Sequence, residues 1–154
     1  FMGTFKLSPI DFGWITLIVG LSNLIGKYSN RFFIKKLTLL KTIQIGMSLG
    51  VAGGIWLITS TLFNFNNPIT VLIGVFISQL SIGLIAANAP IIALTPFQNI
   101  AGSASAMYRG GQQTVSFIVS AVLTALPWHN TYTLAVSFIV LGFIGMILLK
   151  SIKV

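Results

Sequence analysis

The sequence predicts an all-α integral membrane protein of five transmembrane helices, and three observations predict it. First, 55% of the 154 residues are apolar and only 6% are charged, with a mean hydropathy of +0.97. An ordinary soluble domain carries about 25% charged residues, so this chain cannot cover a water-facing surface with charge. The same numbers exclude disorder, which needs low hydrophobicity together with high net charge. Second, the apolar residues fall into stretches near the length needed to cross roughly 30 Å of hydrocarbon, about 20 residues of helix. Third, the basic residues segregate to one side of those stretches.

The expected spans run at about 12–28, 42–65, 69–94, 104–126 and 132–149. Residues 1–11 read as an outer loop and helix cap, and 12–154 as the five-helix bundle. Ser8-Pro9-Ile10-Asp11 opens the first helix: Ser8 caps, Pro9 suits the first helical position and Asp11 reaches back as in a capping box. Residues 64–68 (NFNNP) break spans two and three. Residues 95–99 (TPFQN) separate three and four, and Pro127-Trp128-His129-Asn130 separates four and five. Short connections predict that sequential helices are antiparallel neighbours.

Orientation follows from the cations. Lys27, Arg31, Lys35, Lys36, Lys41, Arg109, Lys150 and Lys153 fall on one side of alternating spans, and Lys6 alone falls on the other. The positive-inside rule places the basic loop, the loop between spans three and four and the C-terminus in the cytoplasm, in an inner or plasma membrane. That asymmetry accounts for the net charge of +8 without a nucleic-acid partner. Aromatics agree. Trp14, Phe63, Phe65, Trp128 and Tyr132 lie near the outer face, and Tyr28, Phe32, Phe33 and Phe97 near the inner one. Trp56 is the exception, at mid-depth, where it packs against lipid or a neighbouring helix. The odd span count and the start at Phe1 suggest a piece of a longer protein.

Small residues mark the expected contacts between helices. Gly46, Gly50 and Gly54 form a doubled G-x-x-x-G, and Gly102, Ala106 and Gly110 repeat the spacing in span four. Gly142 and Gly145 give a weaker version in span five. Such spacing lets two backbones approach closely. Polar residues inside a span need a partner or a wet cavity. Asn23, Gln79, Asn88, Arg109, Gln112 and Gln113 are therefore candidates to line a substrate path, with hydrogen bonding between helices as the plainer role. Spans three and four carry most of them, and span five should face lipid. Pro90 frees the carbonyl of Ala86 beside Asn88, which makes either a hinge, a ligand contact or a packing kink.

Catalytic chemistry is not expected. The chain has no Cys, one His and one acid, so it offers no thiolate, no metal-ligand set and no acid–base pair. His129 reads as a solvated loop residue and Asp11 as a cap. No cofactor is expected either.

Two segments resemble a known family. Residues 26–36 (GKYSNRFFIKK) resemble the second-half copy of the major facilitator superfamily loop motif, roughly G-x-x-x-D-R-x-G-R-K. Gly26, Arg31 and Lys35 match in spacing, while Asn30 stands for the acid and Phe33 for the second Gly. Residues 101–107 (AGSASAM), followed by Gln112, are similar to the A-G-[ST]-A-S-A-[LM] segment of the Bcr/CflA-type drug/proton antiporters, although Arg109 stands where a small residue is expected. Residues 83–90 resemble the glycine-to-proline stretch of the helix before it. The resemblance implies that the five spans are the eighth to twelfth helices of the family fold, with the tenth and eleventh lining the central path. It implies further a hydrophobic small-molecule substrate, protons as the coupling ion, and a missing N-terminal half that holds the proton-binding acids. Multidrug efflux by alternating access is the function it implies. A metabolite or sugar transporter half, and a non-transporting scaffold or truncated product, are the alternatives.

Overall fold

The computed structural model describes residues 6–63, 65, 67–125 and 131–151. Every regular element among them is helical. In chain order these are α1 (Pro9–Phe33), α2 (Leu39–Leu62), α3 (Pro68–Leu94), α4 (Ala101–Ala125) and α5 (Thr131–Ser151), with a 3₁₀ segment at Thr95–Ile100 joining α3 to α4. Three stretches are long and apolar enough to cross a membrane: Pro9–Phe33, Leu39–Leu62 and Pro68–Ala125, the last of them including the 3₁₀ joint. Ala135–Leu149 is a shorter apolar helix. Trp128, His129 and Lys153 lie outside the described residues.

Local chemistry sets the helix starts. The Ser8 hydroxyl oxygen accepts from the Asp11 N–H at 3.2 Å and its O–H donates to Asp11 Oδ2 at 2.6 Å. Pro9 occupies the first turn, where a missing N–H costs nothing. Thr38 caps α2 by accepting from the Lys41 N–H. Asn67 caps α3, its Oδ1 accepting from both the N–H and the hydroxyl of Thr70 at 2.8 Å. Pro90 does not end α3, which continues to Leu94. The backbone leaves helical geometry one turn later at Phe97 (φ −113°, ψ 29°), directly after Pro96.

Packing order differs from chain order. The helices form a row in which α1 lies against α3, α3 against α2, and α2 against α5. Sequential neighbours pack only for α2 and α3, contrary to the expectation from short loops. The cause is steric. α1 and α3 each offer a glycine at one crossing, and a Cβ added at Gly83 would stand 2.9 Å from Gly26 Cα and collide with the Asn23 carbonyl oxygen. One added at Gly26 would collide with the Leu80 carbonyl. Here two backbones touch directly. α4 is the outlier: it meets α3 only slightly, beside the joint, and contributes no buried residue.

The doubled G-x-x-x-G of α2 divides between two partners. Gly46 faces Ile85 and the Ser81 carbonyl, and Gly50 faces the Ser81 hydroxyl. Gly53, not Gly54, continues that seam, against Ser78 and the Gly74 carbonyl. Gly54 turns to α5, where a Cβ would stand 3.0 Å from the Ala135 carbonyl. A spacing of four residues advances about 400°, so the face drifts by about 40° at each step and a step of three corrects it. Gly142 and Gly145 close the α2–α5 seam on Val51 and Met47, so α5 is packed on one face while Val140, Phe143 and Leu148 stay exposed on the other. The expected packing role of Gly102 and Ala106 finds no partner among the described residues. Gly102 meets open space and Ala106 is exposed.

Backbone contact predicts a sharp contrast between glycines. Gly83→Ala should destabilise the bundle by about 1–3 kcal/mol through overpacking. Gly20→Ala, which meets nothing within 4 Å, should be neutral or stabilising through helix propensity. Thermal unfolding in detergent reads both, and equal midpoints for the two variants would contradict the α1–α3 contact.

Candidate functional site

The polar residues of α1 and α3 converge at the end of the bundle where α1 stops and α2 begins. Ser22, Gly26 and Asn30 repeat at intervals of four, so one face of α1 is both small and polar, and all three are buried. The Gly26–Gly83 contact draws the two axes together. One turn beyond it, Asn88 Nδ2 donates to Asn30 Oδ1 at 2.6 Å. The same nitrogen donates to the Leu84 carbonyl at 2.9 Å. Asn88 is wholly buried and Asn30 is 8% exposed.

This pair is incomplete. Asn88 Oδ1 is buried without a hydrogen-bond partner. Such an acceptor costs about 1–3 kcal/mol relative to a satisfied one. It is a place where one further donor, such as a water, gains by entering. Two other buried hydroxyls of these helices are satisfied: Ser22 donates to the Val19 carbonyl at 2.6 Å and Ser78 to the Gly74 carbonyl at 2.9 Å, each within its own helix. At the opposite end of the bundle Trp56 Nε1 donates to the Thr70 carbonyl at 3.0 Å, tying α2 to the start of α3.

The candidate path residues separate into two groups. Asn23 and Gln79 are half-buried on α1 and α3, and Asn88 is buried on α3. Arg109, Gln112 and Gln113 are exposed on α4, away from that group. The loop-motif residues divide likewise. Gly26 and Asn30 are buried in the α1–α3 seam, whereas Arg31 is exposed in the last turn of α1 and Lys35 follows its end. Cation placement at that terminus complements the helix dipole. Between the end of α3 and the start of α4 lies an open hollow of about 400 Å³, lined among others by Phe97, Ile100, Met107 and Tyr108. No group of three or more His, Cys, Asp or Glu side chains is placed to hold a metal ion among the described residues.

Sequence reasoning named Asn30 and Asn88 but did not pair them. They are 58 residues apart, and nothing local to either segment points to the other. The usable signal was the repeat of small residues ending in an Asn on α1, matched by Gly83 followed five residues later by Asn88 on α3.

A double-mutant cycle on Asn30→Leu and Asn88→Leu, followed by unfolding in detergent, should give a coupling of about 1 kcal/mol, in the range of interhelical hydrogen bonds. Zero coupling would show that the two amides do not bond.

No protein-family model, curated protein or solved structure matches this chain.

Proposed function

We propose that the chain is the C-terminal part of a proton-coupled multidrug efflux transporter of the major facilitator superfamily, embedded in the cytoplasmic membrane. It contributes five spans, with the basic loop and the C-terminus cytoplasmic. The observation that carries this reading is the state of α4. It bears the segment similar to drug/proton antiporters, and its Arg109, Gln112 and Gln113 stand unburied. A helix that lines a wet path shared with other helices would present those groups in that way.

Length supports five spans. The Pro68–Ala125 stretch has 58 residues, about 87 Å at 1.5 Å per residue, nearly three times the hydrocarbon thickness. A break is required, and Thr95–Ile100 supplies one. In this reading α4 returns across the membrane, and Ala135–Leu149 completes the set by tilting little.

Transport follows from rocking of this bundle against a second one around a mid-membrane site. The chain's one acid, Asp11, lies in the first turn of α1 and is engaged with Ser8, so the proton-binding carboxylates belong to the second bundle. Its own share is a wall of the path and part of the cytoplasmic gate. Arg31 pairs across that gate in one of two states and biases their equilibrium. Asn30, buried behind it, fixes the end of α1 on α3.

Dye efflux from a drug-sensitive host expressing the full-length reading frame tests this, with and without a protonophore. Efflux above the empty host, abolished by the protonophore, is expected. Retention equal to the empty host would refute the exporter. Within an active transporter, Arg31→Ala should slow turnover several-fold, and unchanged turnover would remove the gate role.

A further inference from the structure

We propose that the turn between α1 and α2 binds one anionic phospholipid, its headgroup phosphate held by Lys35, Lys36 and Lys41 and an acyl chain laid along α2. The inference rests on these helices spanning a bilayer, as the proposed function has it, but not on transport. It leaves Arg31 to the gate.

The cations of this turn have no counter-charge of their own. Lys27, Arg31, Lys35, Lys36 and Lys41 fall within 15 residues that include no acid. The chain's one acid, Asp11, sits in the first turn of α1, about 30 Å along the helix axis from Arg31 and several screening lengths away. The turn also has a set shape. The Phe33 carbonyl accepts from the N–H groups of Lys36 and Leu37 at 3.1 and 2.8 Å, and Thr38 caps α2 on the Lys41 N–H.

Charge alone would admit any anion, and shape selects among them. Two hollows meet at Leu37. One, of about 430 Å³, is lined by Phe32, Phe33, Lys35, Lys36 and Leu37. The other, of about 510 Å³, begins at Leu37 and Lys41 and continues along Ile45, Ser48 and Leu49. At about 100° per residue, Lys41, Ile45, Ser48 and Leu49 share one face of α2, turned away from Gly46 and Gly50, which meet α3. The Ser48 hydroxyl donates to the Gln44 carbonyl at 3.0 Å, so it asks nothing of an apolar guest. From Lys41 to Leu49 the groove descends about 12 Å, most of the roughly 15 Å depth of one leaflet. Tyr28 and Phe32 stand exposed beside the cations, as side chains at headgroup level do. A soluble anion would fill the first hollow and leave the second bare. An anionic phospholipid fills both, and the choline of a zwitterionic one would meet the lysines as a like charge.

Native mass spectrometry of the purified full-length protein, titrated with phosphatidylglycerol or phosphatidylcholine of the same acyl chains, tests the site. Lysines near an anionic lipid contribute about fivefold each, so phosphatidylglycerol should bind at least about tenfold tighter. Replacing Lys35, Lys36 and Lys41 together by Gln should erase that preference, and replacing them by Arg should keep it. Ser48→Trp, which fills the groove and leaves every charge in place, should weaken phosphatidylglycerol about tenfold, whereas Ser48→Ala should not. Inorganic phosphate should not displace the lipid. Equal binding of the two lipids, or a preference that survives the triple Gln variant, would overturn the proposal. So would a preference untouched by Ser48→Trp, which would mean diffuse attraction to a charged surface, or displacement by inorganic phosphate, which would mean a site for a free anion. Release of the protein from membranes by alkaline carbonate would instead refute the membrane reading itself. Selective lipid binding without dye efflux would refute the exporter and leave the lipid site standing.

Discussion

Direct contact between helix backbones is the constraint on which the rest of the bundle depends. In lipid, apolar side chains gain nothing from leaving the solvent, since acyl chains solvate them as well as a neighbouring helix does. What holds apolar helices together is dispersion at short range, which falls steeply with any gap. A side chain as small as Ala at Gly26 or Gly83 would separate α1 from α3. The same logic runs down α2, whose Gly46, Gly50 and Gly53 admit α3 while Gly54 admits α5. Apolar side chains that are wholly buried are correspondingly few, Leu57 and Ala135 among them, and large ones such as Trp14, Phe32 and Phe117 face outward.

Close approach also governs the polar groups. Two helices in backbone contact bring their next turns within side-chain reach, and Asn88 meets Asn30 for that reason. The pair leaves one buried acceptor unfilled, which marks this end of the seam as the place where water or a rearranged donor can enter. α3 is the hub, with α1 on one side and α2 on the other. α4, by contrast, has the small and polar residues of a packed helix and no seam to use them in.

Much of this was legible in the sequence, because long apolar helices obey few rules. Length and hydropathy predicted the helical class, while Ser8 with Pro9 predicted the start of α1. NFNNP and TPFQN marked real breaks. Packing order was not legible. Short loops favoured neighbours in sequence, but shape decides between candidate partners, and Gly83 matters only because Gly26 stands opposite. The G-x-x-x-G spacing does not reveal that Gly54 leaves the face of Gly46 and Gly50, because a step of four residues is not a closed repeat on a helix. Pro90 drew attention as a kink, yet the helix passes it and the backbone departs at Phe97. The polar residues of α3 and α4 were grouped by span, whereas α3 turns Asn88 toward α1 and α4 keeps its own apart.

Disulfide cross-linking in native membranes tests the row of helices most directly, since the chain brings no cysteine of its own. Three cysteine pairs suffice: Asn23 with Leu80 across α1 and α3, Val51 with Gly142 across α2 and α5, and Leu21 with Ile55 as an α1–α2 control. The first two pairs should cross-link and the control should not. Efficient cross-linking of Leu21 with Ile55, with the other two silent, would mean that helices adjacent in sequence pack side by side and that glycine contact does not order this bundle.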